Sequence, residues 1–365
     1  MYAQTVETGI VCSLPAELNE SSSLEIDHDG NFWSANDSGN EPVLYHFDST
    51  GNILHKVFVT NSANTDWEDM ALTDAGTLYI GNFGNNLNDR QDLAILSVSI
   101  NDLLPGDNFR EAAFIYFSYA EQSEFPPENE QLNFDCEALV FQDDSLFFFT
   151  KNRTVPFSGY TYMYGVPALP GNYSVHRLDS CWIGVEEYSG RLTSADVSPD
   201  GRLILLSMTQ VVIFQDTITG RWLRADHVFR NLSGLSQKEA VCWADSCTLF
   251  ITDEFFDPQL PGGKLYSASL CDDLTLSGAT VLSHPQNVFP QPANNLLTVN
   301  FACESANDLV LAIFWSIDGK RLAEFKWSGS GHYDVDTSDW SDGIYVMTTQ
   351  TLRSSYSQRI LIIRR

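Results

Sequence analysis

The sequence predicts an all-β protein: a β-propeller of five blades, alternatively six, followed by a small C-terminal β-sandwich. Three observations carry this expectation. Short runs of β-branched and aromatic residues alternate with Gly, Asn, Asp and Ser clusters, as in YHFDSTGNILHKVFV and EAAFIYFSYA, and no segment of about a dozen residues carries a helical stripe. A two-strand unit joined by an acidic turn recurs five times between Ser22 and Asp253. Charge and composition then change abruptly after a proline-rich step, SHPQNVFPQP.

The five units are SSLEIDHDGNFWSAN from Ser22, EDMALTDAGTLYIGN from Glu68, EALVFQDDSLFFFT from Glu137, TSADVSPDGRLILLS from Thr193 and EAVCWADSCTLFITD from Glu239. Their starts are 46, 69, 56 and 46 residues apart, and each is followed by further strand-like runs, as in a propeller blade. The HDG, TDAG and SPDG turns are hairpin chemistry, because Gly supplies a positive φ. Asp27-His28-Asp29-Gly30 has the start of a calcium loop but lacks its remaining ligands, so it reads as a turn. The early strand TVETGIVCSLP has no hairpin of its own and is expected to supply the outer strand of the last blade, closing the ring.

Aligned on the first apolar residue after each turn, the units carry two polar columns. One is Ser22, Glu68, Glu137, Thr193 and Glu239; the other is Asn36, Asn82, Thr150, Ser207 and Asp253. In a symmetric hairpin the two lie opposite each other, so both are expected to converge on one rim of the ring. Loops just beyond add Asp37, Asn40, Asn85, Asn86, Lys151, Asn152, Arg153 and Glu254. The candidate ligand-binding set is Asn36, Asp37, Glu68, Asn82, Glu137, Lys151, Arg153, Glu239 and Asp253, for a small molecule, a glycan or a protein. Hard oxygen donors of this kind suit Ca²⁺ or Mg²⁺. The plainer alternative is that strand ends are polar because they meet water. Trp67 reads either as a wedge between blades or as a sugar-stacking surface.

The 365 residues hold 48 acids and 20 Lys plus Arg, a formal charge of −28. From Asn287 onward there are 7 basic and 8 acidic residues, so the preceding region carries 13 and 40, a net of −27. Such a field repels phosphate backbones, which excludes nucleic acid as a partner. No apolar run reaches the roughly 18 residues of a membrane span. Residues 1–4, MYAQ, read as the tail of a secretory signal; 5–283 then form the propeller and 284–365 the sandwich. Among seven cysteines, Cys242 and Cys247 flank WADS and are the candidate hairpin-end disulfide, while the odd count leaves a thiol free or paired between chains. There is no G-x-S-x-G elbow, H-E-x-x-H, P-loop or G-x-G-x-x-G motif.

After the proline-rich step, four spaced pieces occur in order: NVFPQPANNLLTV, the IDGK turn at Ile317–Lys320, GIYVM at Gly343–Met347 and the basic end RILIIRR. This segment resembles the C-terminal sorting domain of the type IX secretion system of Bacteroidetes, with Gln291 where the family usually has Asn. The resemblance implies export after Sec translocation, the type IX machinery as a partner, and a secreted or cell-surface location. The first region, through ANDSGNEPVLYHFDSTG, TDWEDMA, YIGNFGNNLNDR, DCEALVF, FFFTKNR and TSADVSPDG, resembles secreted propellers of the SdiA-regulated and esterase-like phytase groups. In such proteins the GNFGNN loop usually starts with an acid, and Asn82 departs from that. A more distant likeness is to lactonase-type propellers, whose Glu, Asn and Asp hold one divalent cation. That likeness implies Glu68 or Glu239, Asn82 or Asn36, and Asp253 as metal ligands, with a carboxylate such as Glu137 as a general base. The alternative function is therefore a divalent-metal-dependent hydrolase of an ester, lactone or phosphate ester.

Overall fold

The computed structural model describes residues 4–254 apart from 102, 105 and 235, then 263–270, 285–289, 295–301, 309–316, 320–328, 331–350 and 355–363. The chain divides into two compact units, Thr5–Ala225 with Arg230–Cys271, and Asp272–Arg365 with Met1–Gln4 and Asp226–Phe229. Residues 1–3, the expected boundary at 284 and most of the IDGK turn lie outside the described residues.

Five sheets make up the first unit, and their innermost strands are Glu25–Ile26, Trp67–Leu72, Asp135–Gln142, Leu192–Val197 and Lys238–Trp243. Each pairs with the second strand of its own repeat: Phe32–Ala35, Thr77–Asn82, Ser145–Lys151, Leu203–Ser207 and Thr248–Asp253. The inner strands touch in cyclic order, the first against the second and on to the fifth, which returns to the first. The first unit is thus a five-bladed propeller. Blade 5 takes its outermost strand, Thr8–Ser13, from the start of the chain, paired with Lys264–Ser269, as the sequence led us to expect. Blades 1 and 2 each gain an outer strand from further along the chain, Phe109–Arg110 and Gly171–Val175, both added in parallel. These excursions account for the wider repeat spacings.

Apolar clusters fill the gaps between blades. Trp67 is 1% exposed and packs with Trp33, Leu44 and Val57 of blade 1 and with Leu78 and Leu96 of blade 2, so it is a wedge. The aspartates of the turns do local work. Asp27 accepts the amides of Asp29 and Asn31, and Gly30 takes φ +79°. Blade 3 manages a shorter turn with Asp143 and Asp144 both at positive φ.

The hairpin register corrects one expectation. The two polar columns are offset by one residue: Trp67 pairs with Asn82, Cys136 with Thr150, Leu192 with Ser207 and Lys238 with Asp253, and Ser21 bridges Asn36. Just after each of the four strand pairs the register shifts. Glu137, Thr193 and Glu239 are the extra residue of a β-bulge, and Glu68 with Asp69 fills that place in blade 2. A bulge interrupts the alternation of side chains and re-aims the residue it adds.

The proposed Cys242–Cys247 bridge is also corrected. Cys242 is a free thiol, fully buried in the core between blades 5 and 1, where the register sets Phe250 opposite it. Cys247 is disulfide-bonded to a partner outside the described residues.

In the second unit, strands Pro285–Phe289, Leu296–Phe301 and Gly331–Asp336 form one sheet; Leu309–Ser316, Arg321–Ser328, Gly343–Gln350 and Ser355–Ile362 form the other. Leu297, Val299 and Val335 of the first pack with Phe314, Trp327, Met347 and Ile360 of the second. This is a β-sandwich.

Candidate functional site

The bulges and the loops beside them put a dense set of charges at one mouth of the ring. Asp37, after the second strand of blade 1, meets Asp66 and Glu68 of blade 2, with one carboxylate oxygen of each within 4.8 Å of the others. Glu68 is only 7% exposed, and no hydrogen bond or ion pair reaches its carboxylate among the described residues. Gly84 presses its backbone against this pair, where a Cβ would collide with Glu68 Oε1 and Asp66 Oδ2. Beside the triad stands a paired cluster. Lys151 Nζ lies 3.0 Å from Glu137 Oε2, and Arg153 reaches Glu137 Oε1 at 3.2 Å and Asp135 Oδ2 at 2.6 Å. Arg153 also donates to Asn86 Oδ1. Glu254 accepts from Gln237 Nε2 at 2.5 Å, and Glu239 adds a further buried carboxylate to the same mouth.

Negative charge exceeds positive here, and the acids respond. Burial, reinforced by Glu137, Asp37 and Asp66, pushes Glu68 well above the ordinary carboxylate range. Asp66 rises to about 7 by burial and by Asp37, and Asp135 to about 6 by burial and by Glu137. Glu254 rises to about 9 through burial and Glu239. Burial works against the charge of Lys151, but Glu137, Glu239 and Glu68 outweigh it and raise its pKa. A site of this kind gains most by taking up a cation, which relieves repulsion and desolvation together.

Of the residues expected here, Asp37, Glu68, Glu137, Lys151, Arg153 and Glu239 do gather at the mouth. Asn36, Asn82 and Asp253 do not present free donors. Asn36 accepts from the Glu20 amide at 3.2 Å and donates to Glu17 O at 2.7 Å; Asn82 accepts from the Asp66 amide at 3.2 Å. Both pin the loop that leads into an inner strand. Asp253 is fully buried, accepting the Lys264 amide at 2.8 Å and the Tyr266 hydroxyl at 2.6 Å. The set Glu68, Asn82, Glu239 and Asp253 is therefore not assembled around one point; Asp37, Asp66 and Glu68 are. Three carboxylate oxygens within 4.8 Å fit an ion that takes oxygen ligands at about 2.3–2.6 Å.

Asp66 and Asp135 were missed by the column alignment, although the signal was present. Asp66-Trp67-Glu68 and Asp135-Cys136-Glu137 repeat a D-x-E pattern, and alternate residues of a strand share a face. The same position carries Glu20, Arg191 and Gln237 in the other blades. Asp69 was missed too. It is 1% exposed and accepts the amides of Met70 at 3.0 Å, Leu139 at 2.9 Å and Ala195 at 3.2 Å, plus the Ser194 hydroxyl. Those donors come from blades 2, 3 and 4, so this carboxylate ties the centre of the ring.

Fold and site together define a five-bladed propeller with an acidic mouth and a separate C-terminal sandwich. Residues 287–363 match the secretion system C-terminal sorting domain, which marks a protein exported by type IX secretion to the cell surface or extracellular space. No curated protein matches the sequence. Among solved structures, the chain is similar to the PQQ-bound aldose sugar dehydrogenase of Streptomyces coelicolor at 11% identity and a TM-score of 0.44, covering 72% of this chain and 97% of that one. It is also similar to virginiamycin B lyase from Staphylococcus aureus, at 11% identity and a TM-score of 0.34, covering 70% and 68%. Both scores are low, and the architecture rests on the sheet order itself. No helix among the described residues is long and apolar enough to cross a membrane.

Proposed function

We propose that the exported propeller binds a ligand at this mouth, with Asp37, Asp66 and Glu68 holding a divalent cation, Ca²⁺ or Mg²⁺. The ligand is a small molecule, a glycan or a protein that completes the coordination. The observation that carries this reading is Glu68, a carboxylate more than nine-tenths buried, without a hydrogen-bond partner among the described residues, facing two further carboxylates. Burying such a group unpaired is costly, and an ion supplies what the protein does not. Titration calorimetry of the full chain with CaCl₂ and with MgCl₂ tests it. One saturable site is expected, weakened at least about tenfold by Glu68→Gln or Asp66→Asn and unchanged by Glu124→Gln on an exposed loop. Absence of saturable binding of either ion removes the proposal.

Lys151 and Arg153 beside the triad support the second reading, a metal-dependent hydrolase, because they add positive charge for an anionic substrate oxygen. Glu137 holds both cations, one on each oxygen, so it serves their placement rather than standing free as a base. Metal-dependent turnover of an ester, a lactone or a phosphate ester, lost in Glu68→Gln, is the result that favours this reading. Unchanged substrate after incubation with either ion favours simple binding.

A further inference from the structure

Around the mouth, the loops of blades 2, 3 and 4 are knitted into one platform. Gln122 Nε2 donates to Asn88 O at 2.7 Å, and Asn88 Oδ1 accepts the Phe134 amide at 2.7 Å. The Val155 amide donates to Asn129 O and the Ile183 amide to Gly159 O, each at 2.9 Å. Gln210 Nε2 reaches both Ile183 O and Ser189 O at 2.6 Å, and Arg191 Nε donates to Asn152 O. From this rigid base five large apolar side chains stand into solvent: Leu87, Phe125, Val155, Val185 and Tyr188, with exposures from 40% to 78%. Ordered loops that hold apolar side chains outward mark an interaction surface, because a chain free to fold them inward would do so.

The charge around them names the partner. Segments 83–93, 120–134, 152–159 and 183–191 contain eight acids and three arginines, with no lysine. All three arginines are already paired or bonded: Arg90 to Asp92, Arg153 to Asp135 and Glu137, and Arg191 to Glu187. Glu124, Glu128, Glu130 and Glu186 are exposed, and no ion pair joins them to a base among the described residues. We infer that the rim of blades 2 to 4 is a docking surface for a segment of another protein in which basic and apolar residues alternate. Its apolar residues cover Leu87, Val155 and Val185, and its lysines or arginines meet the surrounding glutamates. Leu87, Val155 and Val185 are not among the residues that hold the cation, so the docking does not require it.

Fluorescence anisotropy with the full chain tests this, using a labelled peptide of about twelve residues alternating Lys and Leu, with Lys-Ser and Glu-Leu peptides of equal length. The Lys-Leu peptide is expected to bind at least about tenfold more tightly than the Lys-Ser peptide, and the Glu-Leu peptide not at all. The triple variant Leu87→Ser, Val155→Ser, Val185→Ser is expected to lose at least about tenfold in affinity, while Leu54→Ser, an exposed apolar residue elsewhere on blade 1, changes nothing. EDTA is expected to leave the binding intact, whatever the fate of the cation site. Equal binding of the Lys-Leu peptide by the triple variant and the parent overturns the proposal. So does tight binding of the Glu-Leu peptide. A concentration-dependent dimer in sedimentation, abolished by the triple variant, also overturns it and assigns the rim to a second copy of the chain.

Discussion

At one backbone position, repeated in every blade, blades 1 and 4 differ in chemistry from blades 2, 3 and 5. Ser22 and Thr193 hold a hydroxyl there, and each donates to the carbonyl of the next blade's inner strand: Ser22 to Trp67 O at 2.8 Å and Thr193 to Lys238 O at 3.1 Å. Both spans are 45 residues, and both acceptors pair across their hairpin with the column of Asn82 and Asp253. Glu68, Glu137 and Glu239 occupy the same position, and among the described residues none of their carboxyl groups bonds to the next blade's inner-strand carbonyl. They turn to the mouth instead. The same position closes the ring in two blades and gathers carboxylates in three, so a column of polar residues in the sequence mixes staples with a site.

The sharpest way to break that comparison is at the centre, where blade 2 also contributes to closure. Asp69 accepts three backbone amides and a hydroxyl from three blades. In Asp69→Ala those donors stay buried without an acceptor, at about 1–3 kcal/mol for each left unsatisfied. Partial relaxation and water entry bring the expected loss to about 3–5 kcal/mol in urea unfolding. A loss under about 1 kcal/mol would mean that the blades close without this tie.

The staples come next. Ser22→Ala and Thr193→Val each remove one buried hydrogen bond, and a loss of about 1 kcal/mol each is expected, with additivity because the sites share no partner. Glu239→Gln, at the matching position of blade 5, is expected to be neutral or slightly stabilising. It removes a charge that burial disfavours by more than Lys151 and Gln237 favour it, with Asp37 adding repulsion. The measurement is the urea midpoint of the three variants in chelator at neutral pH. If Glu239→Gln costs as much as Ser22→Ala, the division between staple and site fails.

Much of this was legible in the residues. The five hairpins, the ring closure by the N-terminal strand and the separate sandwich all followed from strand patterning and turn chemistry. The register was not, because a bulge adds one residue without leaving a mark in composition, and a one-residue slip changes which side chains meet. Asp66 and Asp135 stood in a readable D-x-E repeat that the alignment passed over. Asp69 carried no such signal, since its partners are amides of strands 70 and 126 residues away. Asp253 looked like a ligand in its column, yet the Lys264 amide and the Tyr266 hydroxyl already claim it. Local sequence tells which positions are polar; only the fold tells whether something in the protein already satisfies them.

The smallest expected effect lies beyond the mouth, where Glu25 of blade 1 and Asp196 of blade 4 act on each other. Burial and Asp196 push Glu25 well above the ordinary range, and burial raises Asp196 to about 7 although it accepts the Trp243 and Val197 amides. A raised folded-state pKa means that the folded protein binds protons more tightly than the unfolded chain. This contribution is fully present below the unfolded value of about 4 and is lost as pH rises through the folded value of about 7. Urea stability in chelator should therefore fall between pH 5 and pH 8. Both side chains keep some contact with solvent, so Glu25→Gln should flatten that fall by less than about 1 kcal/mol. A fall of equal size in Glu25→Gln and in the parent would exclude Glu25 as a source of the pH dependence. Saturating CaCl₂, which acts on Asp37, Asp66 and Glu68, should remove the share of the fall that comes from the mouth, whereas the contribution of Glu25 and Asp196 should persist in calcium.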